Sequence, residues 1–101
     1  CYIANNLSSG VWYDSCMTGK QIVESCVIYN NATQGGIMVE HCDGITVQNN
    51  LIVNNDQFGI HYVISSNGVI IGNTVMEQRD FIALDVSGPR NNSEHGLENN
   101  I

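Results

Sequence analysis

Positive charge is scarce in this chain: Lys20, Arg79 and Arg90 stand against ten Asp and Glu, for a formal net charge of −7 at pH 7. Neutralising a phosphate backbone needs many cations, so nucleic acid is excluded as a partner. The same sign argues against an anionic membrane surface. No run approaches the roughly 18 apolar residues of a membrane-spanning helix, and no n-region/h-region leader pattern is present. The four cysteines, Cys1, Cys16, Cys26 and Cys42, show neither CxxC nor Cys/His spacing, which removes the usual zinc frameworks. Charged residues of both signs make up only 13% of the chain, against 43% apolar. Asparagine supplies much of the polarity instead, in pairs at Asn5-Asn6, Asn30-Asn31, Asn49-Asn50, Asn54-Asn55, Asn91-Asn92 and Asn99-Asn100.

What is present repeats. GVWYDSC begins at Gly10, GIMVEHC at Gly36, GIHYVIS at Gly59 and FIALDVS at Phe81. Aligned on Val11, Ile37, Ile60 and Ile82, the steps are 26, 23 and 22 residues. Two places on stand Tyr13, Val39, Tyr62 and Leu84, all apolar, and the intervening positions are mixed. Alternation with period two marks a short half-buried strand. Dense β-branched residues, with Gly or Asn every few positions, exclude a helix. A second string recurs as IANNL from Ile3, VESCV from Val23, VQNNL from Val47, IGNTV from Ile71 and LENNI from Leu97. It puts Asn5, Ser25, Asn49, Asn73 and Asn99 in one column, as expected of a repeated tight corner with an amide ladder. Asn30 and Asn54 mark the next corner. A period in this range implies a solenoid whose units bury their cores only by stacking.

These coils, with short strands, Gly/Asn corners and a common direction, resemble the right-handed parallel β-helix of the pectin-lyase-like superfamily. The resemblance spans essentially the whole chain and implies an all-β, single-stranded solenoid of about four coils. The GGxGxD repeat of calcium β-rolls and the LxxLxL string of leucine-rich repeats are both absent. Residues 1–101 read as one β-helix segment, cut in mid-repeat at both ends and belonging to a longer solenoid. Its uncapped ends are expected to favour self-association. The fold also implies an extracellular or cell-surface setting.

Stacking makes columns, and Asp14 and Glu40 share one. Equivalent residues of successive coils lie about 4.8 Å apart. Carboxyl groups that close suit a retaining glycoside hydrolase, whose pair is held roughly 5–5.5 Å apart. GVWYD and GIMVEHC are similar to the paired strands G-[IVL]-W-x-D and G-I-x-x-E of some β-helix glycosidases, including β-xylosidase-like enzymes. That resemblance implies Asp14 as nucleophile and Glu40 as acid/base. The His-Gly-Pro string associated with the xylosidases is missing, with Ser87-Gly88-Pro89 a partial echo. Trp12, one pleat from Asp14, offers a face for a sugar ring. His41 follows Glu40, His61 falls in the Trp12 column, and Asp85 is aligned beyond Val63 in the acid column.

The leading functional expectation is therefore a carbohydrate-active protein acting on a polysaccharide or oligosaccharide. An outward acid on a solenoid is more often a solvated residue, and a bound Ca²⁺ would equally account for the pair; no other cofactor is implied. A polysaccharide-binding or structural segment, as in tailspikes and adhesins, is the non-catalytic alternative. A lyase or epimerase ranks lower, because three basic residues outside the acid column offer little to a uronate. Cys16 and Cys42 share a column too. Parallel Cβ vectors suit a disulfide poorly, so they are expected as reduced thiols. The sequons at Asn6, Asn31 and Asn91 are ordinary coincidence in so Asn-rich a chain.

Overall fold

The computed structural model describes residues 1–17, 20–76, 82–87 and 96–98, the last two ranges as backbone. Among these residues twelve short strands, all parallel to their neighbours, form three sheets, each four strands deep. The first holds β1 (Tyr2–Ala4), β4 (Val27–Tyr29), β7 (Leu51–Val53) and β10 (Thr74–Met76). The second holds β2 (Val11–Asp14), β5 (Ile37–Glu40), β8 (Phe58–Val63) and β11 (Ile82–Ser87). The third holds β3 (Ile22–Glu24), β6 (Thr46–Gln48), β9 (Val69–Ile71) and β12 (Gly96–Glu98). The chain visits the sheets in turn, making three full turns from β1 to β10 before adding β11 and β12. This is the parallel solenoid that the repeats imply.

Alternation decides what faces the axis. Ile28 and Ile52 of the first sheet, Ile37, Val39, Ile60 and Tyr62 of the second, and Val23, Val47 and Ile70 of the third fill a single core, none more than 5% exposed. Burying such a side chain stabilises by about 1.5–3 kcal/mol, and each residue stacks on its counterpart in the next coil.

Three columns of corners link the sheets, and each uses the same two-residue device. The first residue adopts left-handed backbone: Asn5, Asn30 and Asn54 after the first sheet, Ser15, His41 and Ile64 after the second, Ser25, Asn49 and Gly72 after the third. Asn and Gly tolerate this region, whereas a β-branched residue such as Ile64 enters it only under tertiary constraint. The next residue turns inward, giving the columns Asn6–Asn31–Asn55, Cys16–Cys42–Ser65 and Cys26–Asn50–Asn73. Asn31 Nδ2 donates to Asn55 Oδ1 at 2.9 Å, and Asn50 Nδ2 donates to Asn73 Oδ1 at 3.0 Å. Buried amides are thereby satisfied from coil to coil.

Two expected alignments are corrected. The single Asn column divides: Asn5 belongs with Asn30 and Asn54, while Asn73 is a buried rung above Asn50 rather than the corner residue above Asn49. Both corners use an Asn pair, so the pair marks a corner without saying which. In the second sheet, Leu84 rather than Ile82 lies opposite Ile60, and Ile82 lies opposite Phe58. A slip of two residues leaves every side chain on its own face, so alternation cannot detect it. Ala83 thus continues the column Gly10–Gly36–Gly59. Glycine is required at Gly36, where a Cβ would come within 2.7 Å of Gly59 O and 3.0 Å of Asn55 Nδ2.

Cys16 and Cys42 are free thiols. Cys1 and Cys26 are joined by a disulfide between adjacent coils, with Cα atoms 4.5 Å apart. Stacked cysteines, poor partners on the sequence argument, are therefore bridged at one corner. Phe81, Gly88-Pro89, Asn91-Asn92 and Asn99-Asn100, with Arg79 and Arg90, lie outside the described residues.

Candidate functional site

Asp14 and Glu40 end β2 and β5 and stand directly opposite each other in the register. Ile37 and Val39 are buried in the core with Val11 and Tyr13 packed against them. Alternation therefore sends Trp12, Asp14, Met38 and Glu40 to the outer face. The Asp14 side chain is 53% exposed and that of Glu40 27%. Ser15 Oγ donates to Asp14 Oδ1 at 3.0 Å. Left-handed backbone at His41 brings its imidazole back over the acids, Nδ1 lying 3.8 Å from Asp14 Oδ1 and 3.9 Å from Glu40 Oε1. One donor atom from each of Asp14, Glu40 and His41 falls within 4.8 Å of the others.

Like charges on facing strand positions repel, and His41, when protonated, lies where it counters both. Two carboxylates and an imidazole could also share one divalent ion. That mixed donor set departs from the all-oxygen shell of six to eight ligands that Ca²⁺ takes. The three residues, with Ser15 and Met17, line an open hollow of about 370 Å³. Met17 also lines a neighbouring hollow of about 430 Å³ that contains Lys20 and Asp43. Lys20 is the one Lys or Arg among the described residues.

Cys16 and Cys42 follow the acids at the corner, their thiols reaching Asp14 O and Glu40 O, and Tyr62 lies in the core opposite Val39. Burial pushes the Cys42 thiol up to about 11, against a smaller lowering by the Cys16 N–H. Burial likewise pushes the Tyr62 hydroxyl up to about 12; it donates to Ile45 O at 3.3 Å.

The remaining candidates are placed unevenly. Trp12 lies on the outer face beside Met38, 54% exposed. His61 is next in that column, opposite Met38, and its ring stacks on Phe58 with centroids 4.0 Å apart; it does not line the acid hollow. Asp85 is registered with His61 rather than Val63, so it leaves the acid column for the Trp12 column. The two-residue slip is the cause, and Ser87 takes the place opposite Val63. Ser15 and Met17 are site residues that the sequence argument missed, although both belong to the segment that carries Asp14. The Asn31 sequon is closed by the fold, since its amide is buried and donates to Asn55 Oδ1 and Ile3 O.

Stacked parallel coils with a polar strip on one outer sheet define a β-solenoid protein. More narrowly, the chain belongs to the right-handed β-helix family, whose model, described as "Right handed beta helix region", matches residues 1–100. No curated protein and no solved structure matches the chain.

Proposed function

We propose that the outer strip of the second sheet is a carbohydrate site at which Asp14 and Glu40 hydrolyse a glycosidic bond with retention of configuration. The observation that carries this reading is the stacked carboxylate pair, with ligating atoms within 4.8 Å on adjacent coils. Carboxyl groups that close are nearer to the roughly 5–5.5 Å of retaining hydrolases than to the wider separation of inverting ones. Asp14, held by Ser15 through Oδ1, attacks the anomeric carbon with its other oxygen. Glu40 protonates the departing oxygen, then takes a proton from the water that releases the sugar. Trp12 stacks on a sugar ring in the neighbouring position. The substrate is a neutral polysaccharide or oligosaccharide, because two carboxylates and a single described lysine offer nothing to a uronate. An extracellular or cell-surface location accords with the Cys1–Cys26 disulfide, since such bonds persist in oxidising compartments.

Asp14→Asn and Glu40→Gln should each lower turnover on a responsive substrate by at least about 10²-fold, with unchanged circular dichroism. Chelation by EDTA should leave the rate unchanged. Full activity in both variants would sink the catalytic pair, and loss on chelation would reassign the acids to an ion. The openness of the hollow, lined by only five residues, favours a second reading as a non-catalytic polysaccharide-binding surface. Glycan-array hits without released product would select it.

A further inference from the structure

The two thiols behind the acid pair occupy a corner whose geometry elsewhere in the molecule already carries a disulfide. Cys26 follows left-handed Ser25 and is bonded to Cys1 of the preceding coil. Cys16 and Cys42 follow left-handed Ser15 and His41 in the same way, on adjacent coils. The coils are locked in register on either side of them: Ser15 N–H donates to Glu40 O at 3.0 Å and Asp43 N–H to Cys16 O at 2.9 Å. Between these bonds, Cys16 N–H points at Cys42 Sγ, 3.4 Å away. A disulfide needs Cα atoms about 4.4–6.8 Å apart, a range that contains the ordinary spacing of neighbouring parallel strands.

We propose that Cys16 and Cys42 are a redox pair that closes a second disulfide between adjacent coils, with a small-molecule disulfide of the glutathione class as oxidant. Cys16 is partly exposed and Cys42 only 2% exposed, so the oxidant enters at Cys16. The Cys16 thiolate attacks one sulfur of glutathione disulfide; that S–S bond breaks and the first glutathione leaves as thiolate. Cys42 then gives up its proton and attacks Cys16 Sγ in the mixed disulfide. The Sγ–Sγ bond forms and the second glutathione departs. Two protein thiols are oxidised, and one glutathione disulfide is reduced to two thiols.

The pair is joined to the outer site through its own hydrogen bonds. Reduced, Cys42 Sγ donates to Glu40 O at 3.1 Å and Cys16 Sγ reaches Asp14 O at 3.6 Å. Closing the bond removes both donors from the carbonyls of the two acid residues. Ser65, next in the column, has no such chemistry; its hydroxyl accepts the Cys42 N–H at 3.0 Å and donates to Val63 O at 2.8 Å. The proposal does not depend on the catalytic reading.

The test equilibrates the full chain in glutathione buffers of rising oxidised fraction. Free thiols are counted under denaturing conditions, and linkages are mapped by peptide mass. The expected result is loss of both thiols, a Cys16–Cys42 linked peptide formed within one polypeptide and a higher thermal midpoint. Cys42→Ser should trap glutathione on Cys16, whereas Cys16→Ser should leave Cys42 unmodified. Persistence of both thiols at a poise that keeps Cys1–Cys26 oxidised would overturn the proposal. So would Cys16–Cys42 linkage found only between molecules. Thiol counting on the unaltered chain needs no variant to fold.

Discussion

Asn55 receives two bonds at one oxygen, from Asn31 N–H at 3.0 Å and Asn31 Nδ2 at 2.9 Å, and its own Nδ2 donates to Ile28 O at 3.0 Å. The Asn55→Ala change would leave those partners stranded in the interior, at about 1–3 kcal/mol for each unsatisfied group. An overall loss of about 3 kcal/mol or more is expected in urea unfolding. Asn54→Ala, one residue earlier and less deeply set, should lose about 1 kcal/mol, because Ala tolerates left-handed backbone less well than Asn and the part-buried Asn54 Nδ2 bond to Asn30 Oδ1 is replaced largely by water. Equal losses at the two positions would contradict the ladder argument. Titration gives a second handle. Cys42 is raised from 9.0 to about 11 and Tyr62 from 10.0 to about 12, both by burial. The unfolded chain therefore releases these protons first. Their contribution to stability is complete below about pH 9 and is lost progressively as the pH climbs towards 12. Denaturation followed by circular dichroism across that range should show the decline, and Tyr62→Phe should flatten its upper part. A stability curve level to pH 12 would refute the linkage.

Strands and corners differed in how plainly they could be read. Alternation around Val11–Tyr13 and Ile37–Val39 sufficed to place Asp14 opposite Glu40, because both acids lie on the aligned strands themselves. Register failed where alternation has no power. The β8–β11 pairing slipped by two residues and moved Asp85 to another column without changing its face. The first-sheet repeat is Ile3-Ala4-Asn5-Asn6 with Ile28-Tyr29-Asn30-Asn31 and Ile52-Val53-Asn54-Asn55, and it was concealed by a competing match of Ile3–Leu7 to Val23–Val27. Reading it correctly sets Cys1 against Cys26 and makes their disulfide visible. His41 was a candidate only as the residue after Glu40, and its approach to both acids was not legible. A left-handed residue redirects its side chain off the strand, and no spacing rule carries that turn.

At the scale of the molecule, three sheets and three corner columns enclose one core that opens at the first coil. Ile3, Val11, Tyr13 and Val23 line a hollow of about 320 Å³ there, with Cys1 and Cys26 at its edge. Apolar surface and unpaired strand edges invite further stacking. A polypeptide of these 101 residues is expected to elute from gel filtration as concentration-dependent oligomers. A sharp monomer peak at every concentration would contradict this. The amide ladders restrict how such copies can meet. In the inward columns Asn6 donates to the amide oxygen of Asn31, Asn31 to that of Asn55 and Asn50 to that of Asn73, each on the later coil. Asn31 and Asn50 also donate to backbone carbonyls of the earlier coil. The amide-to-amide bonds of the inward columns therefore share one direction, and the outer bond from Asn54 Nδ2 to Asn30 Oδ1 runs against it. Two copies placed nose to nose would set donor against donor or acceptor against acceptor, while nose to tail continues the sequence of amides. An end-to-end contact that continued this direction would be heterologous, joining unlike faces of the two copies.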